Sequence, residues 1–430
     1  MTKLKKELGI LQLVFLGISN IIGAGIYVIG GIASGISGPS VIFSFLTASF
    51  VAILISLVIC ELASAITKTG EVYIYTKRAF GNYIGFITGC IRLLSSIFST
   101  SVVALSFSFY LTAFFFPSLN SNPIIFLIST SIIVFSTIMN IVGISKMIRF
   151  ATFLTIFKLF ALSFFIIVGI FYLKNKFDEK KIYPIFPNGI EGMMRASTLA
   201  FFAYIGFQTI ALASEESKNP KKDVPLAIFL SIFISSIFYI LIVLIQILIV
   251  DWKELREIEY SLLYVMEKMT HNFYLNLFIT SSALSAMLSV LLTTIYSSSR
   301  IVFAMSRDKL LPEIFSIVSK KHKTPIYSII FSSIISIIIL IIRNISVLVS
   351  FVSFGYLFTF LLTSFSLIKL KKKIKAKFKL PFHPTIPLLS IFFIILLMIY
   401  LEDSTKLIGI FFLTALTIIY FFLVKNRYVL

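Results

Sequence analysis

Hydrophobic runs of bilayer length follow one another along nearly the whole chain, separated by short polar segments. A helix rises 1.5 Å per residue, so about 20 apolar residues cover a hydrocarbon core roughly 30 Å thick. By that measure the pattern predicts twelve spans, over residues 10–34, 40–66, 82–116, 123–143, 149–173, 195–215, 225–250, 272–299, 326–342, 346–368, 383–401 and 406–424. Several exceed a straight crossing, which implies tilt or ends that leave the bilayer. The expected fold class is an all-α integral membrane protein.

Two of these runs carry a pattern that a continuous helix does not favour. In the first, Gly23, Ala24 and Gly25 fall halfway across, with Gly17, Gly30 and Gly31 on either side. Glycine disfavours a helix interior by about 1 kcal/mol relative to alanine and lets the backbone leave helical geometry. In the sixth, Met194–Glu215, Gly206 is central and the polar Gln208 and Thr209 follow it. Lipid cannot satisfy free N–H and C=O groups, so unwound backbone at membrane depth has to line a protein-enclosed cavity. There it offers a half-helix N-terminus that attracts anions beside carbonyls that attract cations. A zwitterion suits that pair of ends, and broken helices at corresponding places of two halves mark the binding site of transporters built from repeats.

Composition agrees with the pattern. The 430 residues are 58% hydrophobic and 13% charged, about half the charged share of ordinary soluble domains. The net charge of +20 raises the question of nucleic acid, but its distribution answers it. With the N-terminus inside, 26 of the 38 Lys and Arg fall in cytoplasmic segments and ten in outside ones. That asymmetry predicts a multi-pass protein of the cytoplasmic (plasma) membrane with both termini in the cytoplasm and the lipid bilayer, not nucleic acid, as its surroundings. The charged start followed by Ile10–Ser34 is too long and lacks a small-residue cleavage site for a signal peptide, and reads as a retained anchor.

Catalytic or metal chemistry finds little support. Cys60 and Cys90 lie inside apolar runs as packing residues, and His271, His322 and His383 all fall in loops. A membrane enzyme would need such groups, or carboxylates, clustered at one depth. No metal and no cofactor are therefore expected. A channel would call for a polar pore stripe or a charged ring, whereas paired interruptions point to a gated central site.

Between the spans, Gly35–Pro39 reads as a tight turn and Thr67–Gly81 as an amphipathic segment whose Tyr73, Tyr75 and Phe80 sit in the interfacial aromatic belt. Ser299–Pro325 is its counterpart on the same side, Lys174–Met194 is an outside loop, and Asp251–Thr270 carries a short surface helix. Two cations stand inside spans. Arg92 lies about ten residues from the inside end, where Glu61 or Glu71 could neutralise it as a structural pair. Lys158 lies in mid-span, too deep to reach the interface readily. An intramembrane charge is costly and by default functional.

Five stretches together carry a resemblance: IIGAGIY at Ile21–Tyr27, GEVYIYTKRAFG at Gly70–Gly81, FFAYIGFQ at Phe201–Gln208, EESKNPKKDVP at Glu215–Pro225 and SRIVFAMSRDKLLP at Ser299–Pro312. In order and spacing they resemble the amino acid/polyamine/organocation transporter superfamily. The resemblance implies twelve transmembrane helices with a five-plus-five inverted repeat. Residues 1–173 would form the first repeat and 195–368 the second, helices one and six being broken. Residues 383–424 would add two helices, and 425–430 a short cytoplasmic tail.

By the same resemblance the N–H groups of Ala24, Gly25 and Ile26 would hold a substrate carboxylate. The carbonyls of Ile21, Phe202, Ala203 and Ile205 would hold its ammonium, and Phe202 would be the aromatic lid. In sodium-coupled relatives a cation sits between spans one, five and eight, and a lysine takes its place in some members. Lys158 would then couple amino acid uptake to a proton, contacting carbonyls near Ser19 and Ile22 and a span-eight hydroxyl such as Ser285. Burial disfavours the ammonium form, which would let it trade a proton; a structural cation that never titrates is the plain alternative. Glu215 and Glu216 beside Arg300 and Arg307 form either an inside gate or an interfacial cluster. Gln208 departs from the family, which often has an acid there, and so points away from strongly basic substrates toward small or moderately apolar amino acids. Side-chain pocket candidates from spans three, six and ten are Ser101, Tyr204 and Ser353. An exchanger, or a polyamine or cationic amino acid transporter, is the alternative to a proton symporter; the oligomeric state stays open.

Overall fold

The computed structural model describes residues 9–66, 70–117, 121–142, 144–212, 217–319, 321–322 and 324–424. Regular structure among them is helical. In chain order, α1 is Ile10–Ile21, a π-helical turn spans Gly25–Ile29 and α2 is Gly30–Ser37; α3 is Val41–Ala65, α4 Val72–Phe80 and α5 Asn82–Phe115. Next come α6 Asn122–Val142, α7 Ile144–Lys176, α8 Gly189–Tyr204, α9 Gln208–Leu212, α10 Pro220–Ile249, α11 Trp252–Leu255 and α12 Ser261–Met269. The remainder is α13 Phe273–Arg307, α14 Ile326–Ile339, α15 Ile345–Leu370, α16 Thr385–Ile399 and α17 Asp403–Ile419. Among the described residues, eight helical stretches are long and apolar enough to cross a membrane.

The interior is knit by α5, which packs on α13 and α15, while α1 packs on α10 and α3 on α8. These helices bury small and hydroxyl-bearing residues, and the hydroxyls are satisfied locally: Ser34 Oγ donates to Gly30 O at 2.7 Å and Ser106 Oγ to Val102 O at 2.9 Å. Donation back to the preceding turn lets serine pack inside apolar surroundings without an orphaned group. The outward faces are apolar, as Phe160 and Phe171 on α7 and Leu127 on α6 illustrate, each about two-thirds exposed. That inversion of the soluble pattern, with polar groups inside and phenylalanine outside, is what a lipid surround requires.

Two segments depart from the expectations raised by the sequence. The Gly70–Gly81 stretch does not lie as an interfacial belt: α4 packs against α5 and α15, burying Tyr73 and Tyr75. Tyr73 Oη donates to Asp308 at 2.5 Å, and Lys77 pairs with the same carboxylate. Likewise α12 is no surface helix, since Leu262, Leu263, Val265 and Met266 are buried and Ser261 Oγ donates to Tyr27 O at 3.0 Å. In both cases one helical face is apolar enough to serve protein as well as lipid, and a neighbouring helix took it. Thr67–Thr69, Glu215 and Glu216 lie outside the described residues, as do the first eight residues and the expected tail at 425–430. Arg300 stacks on Tyr296 and Arg307 on Phe303.

Candidate functional site

Both interrupted runs are broken where the glycines fall. The α1 helix ends at Ile21; Ile22 has ψ near 102°, so its carbonyl leaves the helical direction before the chain resumes at Gly25. The α8 helix ends at Tyr204, Ile205 is extended with ψ near 130°, and Gly206 takes φ +132° before α9 begins. A φ in that range disfavours any residue with a Cβ.

The two breaks pack directly on each other. A Cβ on Gly25 would lie 2.5 Å from the Ala203 backbone, and one on Gly206 would lie 2.6 Å from the Asn20 carbonyl oxygen. Each glycine therefore permits an approach that alanine would prevent. Asn20 ties the faces laterally, donating from Nδ2 to Thr209 Oγ1 at 2.9 Å. Thr209 Oγ1 donates to Gly206 O at 2.7 Å, while Gln208 turns back to accept from Gly206 N at 3.0 Å. Gln208 thus completes the break.

Against this junction lies a cavity of about 50 Å³. Of the expected substrate residues, Ile21, Ala24, Gly25, Phe202 and Ile205 line it. Ile26 and Ala203 do not line it; they are buried behind it. Two of the carbonyls expected to receive an ammonium have another partner: Tyr239 Oη on α10 lies 2.9 Å from Ile21 O and 3.0 Å from Ala203 O. Its one hydrogen can serve either, and it bridges the two broken helices. Phe202 O accepts from Ile205 N at 3.1 Å, the ordinary closure of a helix end. Beside the cavity, the first N–H groups of the helix that resumes at Gly25 have no intrahelical acceptor.

The side-chain walls come from α5, α13 and α15. On α5, Arg92, Ser96, Ser99 and Val103 face the cavity; on α13, Val290, Thr293, Thr294 and Ser297 do; Tyr356 on α15 closes one end. Ser101, Tyr204 and Ser353, which the sequence suggested for the side-chain pocket, are not among the lining residues. Ser101 Oγ donates to Ser336 O, and Tyr204 Oη to Phe45 O. The spacing 92, 96, 99, 103 is one helical face, so the signal lay in the period of the polar residues along the third run. Tyr239 offered no such signal among 18 tyrosines.

Both buried cations have defined partners. Arg92 Nη2 pairs with Glu71 at 2.9 Å, its Nη1 donates to Ser96, and its guanidinium stacks 4.4 Å from the Tyr356 ring centroid. Glu61, the other carboxylate considered for it, accepts from Lys371 Nζ at 2.6 Å and from Leu380 N at 2.9 Å. Lys158, fully buried on α7, donates to Ser19 O at 2.9 Å and Ile22 O at 2.6 Å, with Ser289 Oγ at 3.4 Å. Ser289 thus takes the place expected of Ser285, which is one turn away and donates to Ser282 O at 2.8 Å. Both serines share a face of α13, and only its axial position against α7 chooses between them. An ammonium with three donors thus holds the end of α1 to α7 and α13.

Residues 8–424 match the amino acid permease family. The chain is 31% identical to the branched-chain amino acid permease BcaP of Bacillus subtilis, over 97% of this chain and 93% of that protein. It is 30% identical to the methylthioribose transporter of the same organism, with the same coverage. It is 28% identical to the mouse cationic amino acid transporter 4, over 86% of this chain and 61% of that protein. With two broken helices joined at a small internal cavity and a family match along nearly its whole length, the chain belongs to the amino acid permease family, within the amino acid/polyamine/organocation superfamily.

Proposed function

We propose that this permease is a secondary active transporter of neutral amino acids, working by alternating access in the cytoplasmic membrane and coupled to protons through Lys158. The observation that carries the reading is the abutment of the two helix breaks beside the cavity. The N–H groups at the start of the Gly25 helix would take the carboxylate, and the carbonyls at the end of α8 would take the ammonium. Twelve crossings with both termini in the cytoplasm remain the arrangement that the run pattern and lysine distribution favour, and the family resemblance implies their grouping as a five-plus-five inverted repeat with two added helices.

Coupling follows from what Lys158 holds. Protonated, it presents charge and three donors to Ser19 O, Ile22 O and Ser289 Oγ. Loss of the proton removes the charge and one donor, loosening α1 just before its break. Substrate binding at that break and proton binding at Lys158 would thereby favour the same position of α1, which is the linkage that symport needs.

The names of the relatives set the rivals. Among the described residues no carboxylate lines the cavity, so the side chain of a cationic amino acid finds no anionic partner there. Methylthioribose has neither amine nor acid for the half-helix ends. An exchanger would use the same substrate site with Lys158 permanently charged.

In proteoliposomes, uptake of a labelled neutral amino acid should rise with an inward proton gradient and collapse with a protonophore, and Lys158→Ala should lose that response. A Lys158→Ala protein whose uptake still climbs with the gradient removes the coupling. Counterflow that needs no pH difference and outpaces gradient-driven uptake turns the reading to exchange.

A further inference from the structure

The cavity is more polar than the transport of an aliphatic amino acid would require. Ser96 and Ser99 on α5 face Thr294 and Ser297 on α13 across it. Thr100 Oγ1 donates to Thr294 Oγ1 at 3.1 Å beside them. Arg92 lines this slot between α5 and α13 as well, 1% exposed, and its partner Glu71 stands at the start of α4. Arg92 Nη2 reaches Glu71 and, at 3.3 Å, Ser297 Oγ. Its Nη1 donates to Ser96 Oγ, so Arg92 holds hydroxyls on both α5 and α13 in place beside the cavity.

We infer that this slot recognises the side chain of the transported amino acid, and that it selects a neutral, hydrogen-bonding group, a carboxamide or hydroxyl, over a branched aliphatic one. The inference rests on the reading above that an amino acid is the cargo. A carboxamide has an oxygen to accept from the serine and threonine hydroxyls that line the cavity and N–H donors for their oxygens. An aliphatic chain would desolvate the same groups and pair none of them, which is how a polar site rejects an apolar analogue. A cationic chain finds no carboxylate among the lining residues. A carboxylate chain would meet Arg92 already neutralised by Glu71 at 2.9 Å.

The test is competition against labelled glycine, which has no side chain, in proteoliposomes. Glutamine or asparagine should inhibit at concentrations about tenfold or more below leucine or valine, the factor that one well-made buried hydrogen bond supplies. The double variant Arg92→Leu, Glu71→Leu removes the ion pair without orphaning either charge and should bring that ratio down by about the same factor. Should it fail to fold, the pair Ser96→Ala, Ser297→Ala leaves the ion pair in place and should lower the ratio in the same direction. Leucine competing as well as glutamine in the unaltered protein overturns the inference, as does an unchanged ratio in a variant that carries glycine. If glycine is not carried and no amino acid competes, the amino-acid reading falls with it, a result distinct from a reversed preference.

Discussion

Single residues here act by holding backbone that the helix ladder has released. Ile22 O points to Lys158 because its residue has left helical ψ, and Ile21 O and Ala203 O converge on one tyrosine hydroxyl. Tyr239 meets Tyr204 and Phe45 edge-to-face, with ring centroids 5.3 and 5.7 Å apart, which fixes the hydroxyl under both breaks. Tyr239→Phe keeps those ring contacts and deletes only the donor, so its effect isolates the bridge. Removing a buried partner of this kind is worth about 1–3 kcal/mol. The variant should melt several degrees lower and show a smaller thermal shift on adding amino acid than the parent. Equal melting and equal ligand shift would mean the two carbonyls are satisfied without it. At this scale the sequence disclosed what was chemically rare. A lysine in mid-span stood out, and so did Arg92. Ser289 did not, because serines at 285 and 289 differ only in how far α13 is slid along α7, a tertiary quantity. The Tyr239 hydroxyl beside the Ile21 and Ala203 carbonyls was hidden for the same reason: a backbone acceptor's partner is invisible until the neighbouring helix is placed.

Elements are organised by where helices stop. Gly206 and Gly81 both take positive φ, +132° and +87°, but they differ in surroundings. A Cβ on Gly206 would strike Asn20 O, whereas one on Gly81 would meet nothing within 4 Å. Alanine at either site carries the backbone penalty, of order 1–2 kcal/mol, and only Gly206→Ala adds the collision between the breaks. Gly81→Ala should therefore lower thermal stability and still transport. Gly206→Ala should lower it further and lose uptake and ligand-induced stabilisation together. If the two variants transport alike, close approach of α1 to the α8–α9 break is not what the glycine is for. The breaks were legible because glycine at the centre of an apolar run is locally inconsistent, and such inconsistency marks function. The α4 and α12 segments were not legible. Their amphipathic pattern states that one face is apolar, and the chain does not say whether lipid or protein covers it.

For the whole molecule, the alternating access proposed above requires the walls around the cavity at the two breaks to part on one side and then on the other. At the α4 end two ties close the way: Arg92 with Glu71, buried, and Asp308 with Lys77 and Tyr73, partly exposed. Away from α4, Tyr110 Oη and Ser261 Oγ both donate to Tyr27 O, at 2.5 and 3.0 Å, tying the helix that resumes after the first break to α5 and α12. These closures differ in strength by their burial. Side chains of Lys77 and Asp308 are 25% and 33% exposed, and ion pairs this wet contribute about 0.2–1 kcal/mol. The α4 end is thus the side that mutation can unlatch without unfolding the core. Asp308→Asn should shift the population toward states open there by about 1.4- to fivefold, the Boltzmann factor of that energy. The readout is the rate at which a thiol reagent modifies Thr209→Cys, a cavity-lining position, in a background lacking Cys60 and Cys90. Added substrate should slow the reaction in both proteins, since it fills the space the reagent must enter. A rate indifferent to Asp308 would place the limiting closure at the Arg92–Glu71 pair. One indifferent to substrate would mean that the cavity at the two breaks is not where the cargo sits.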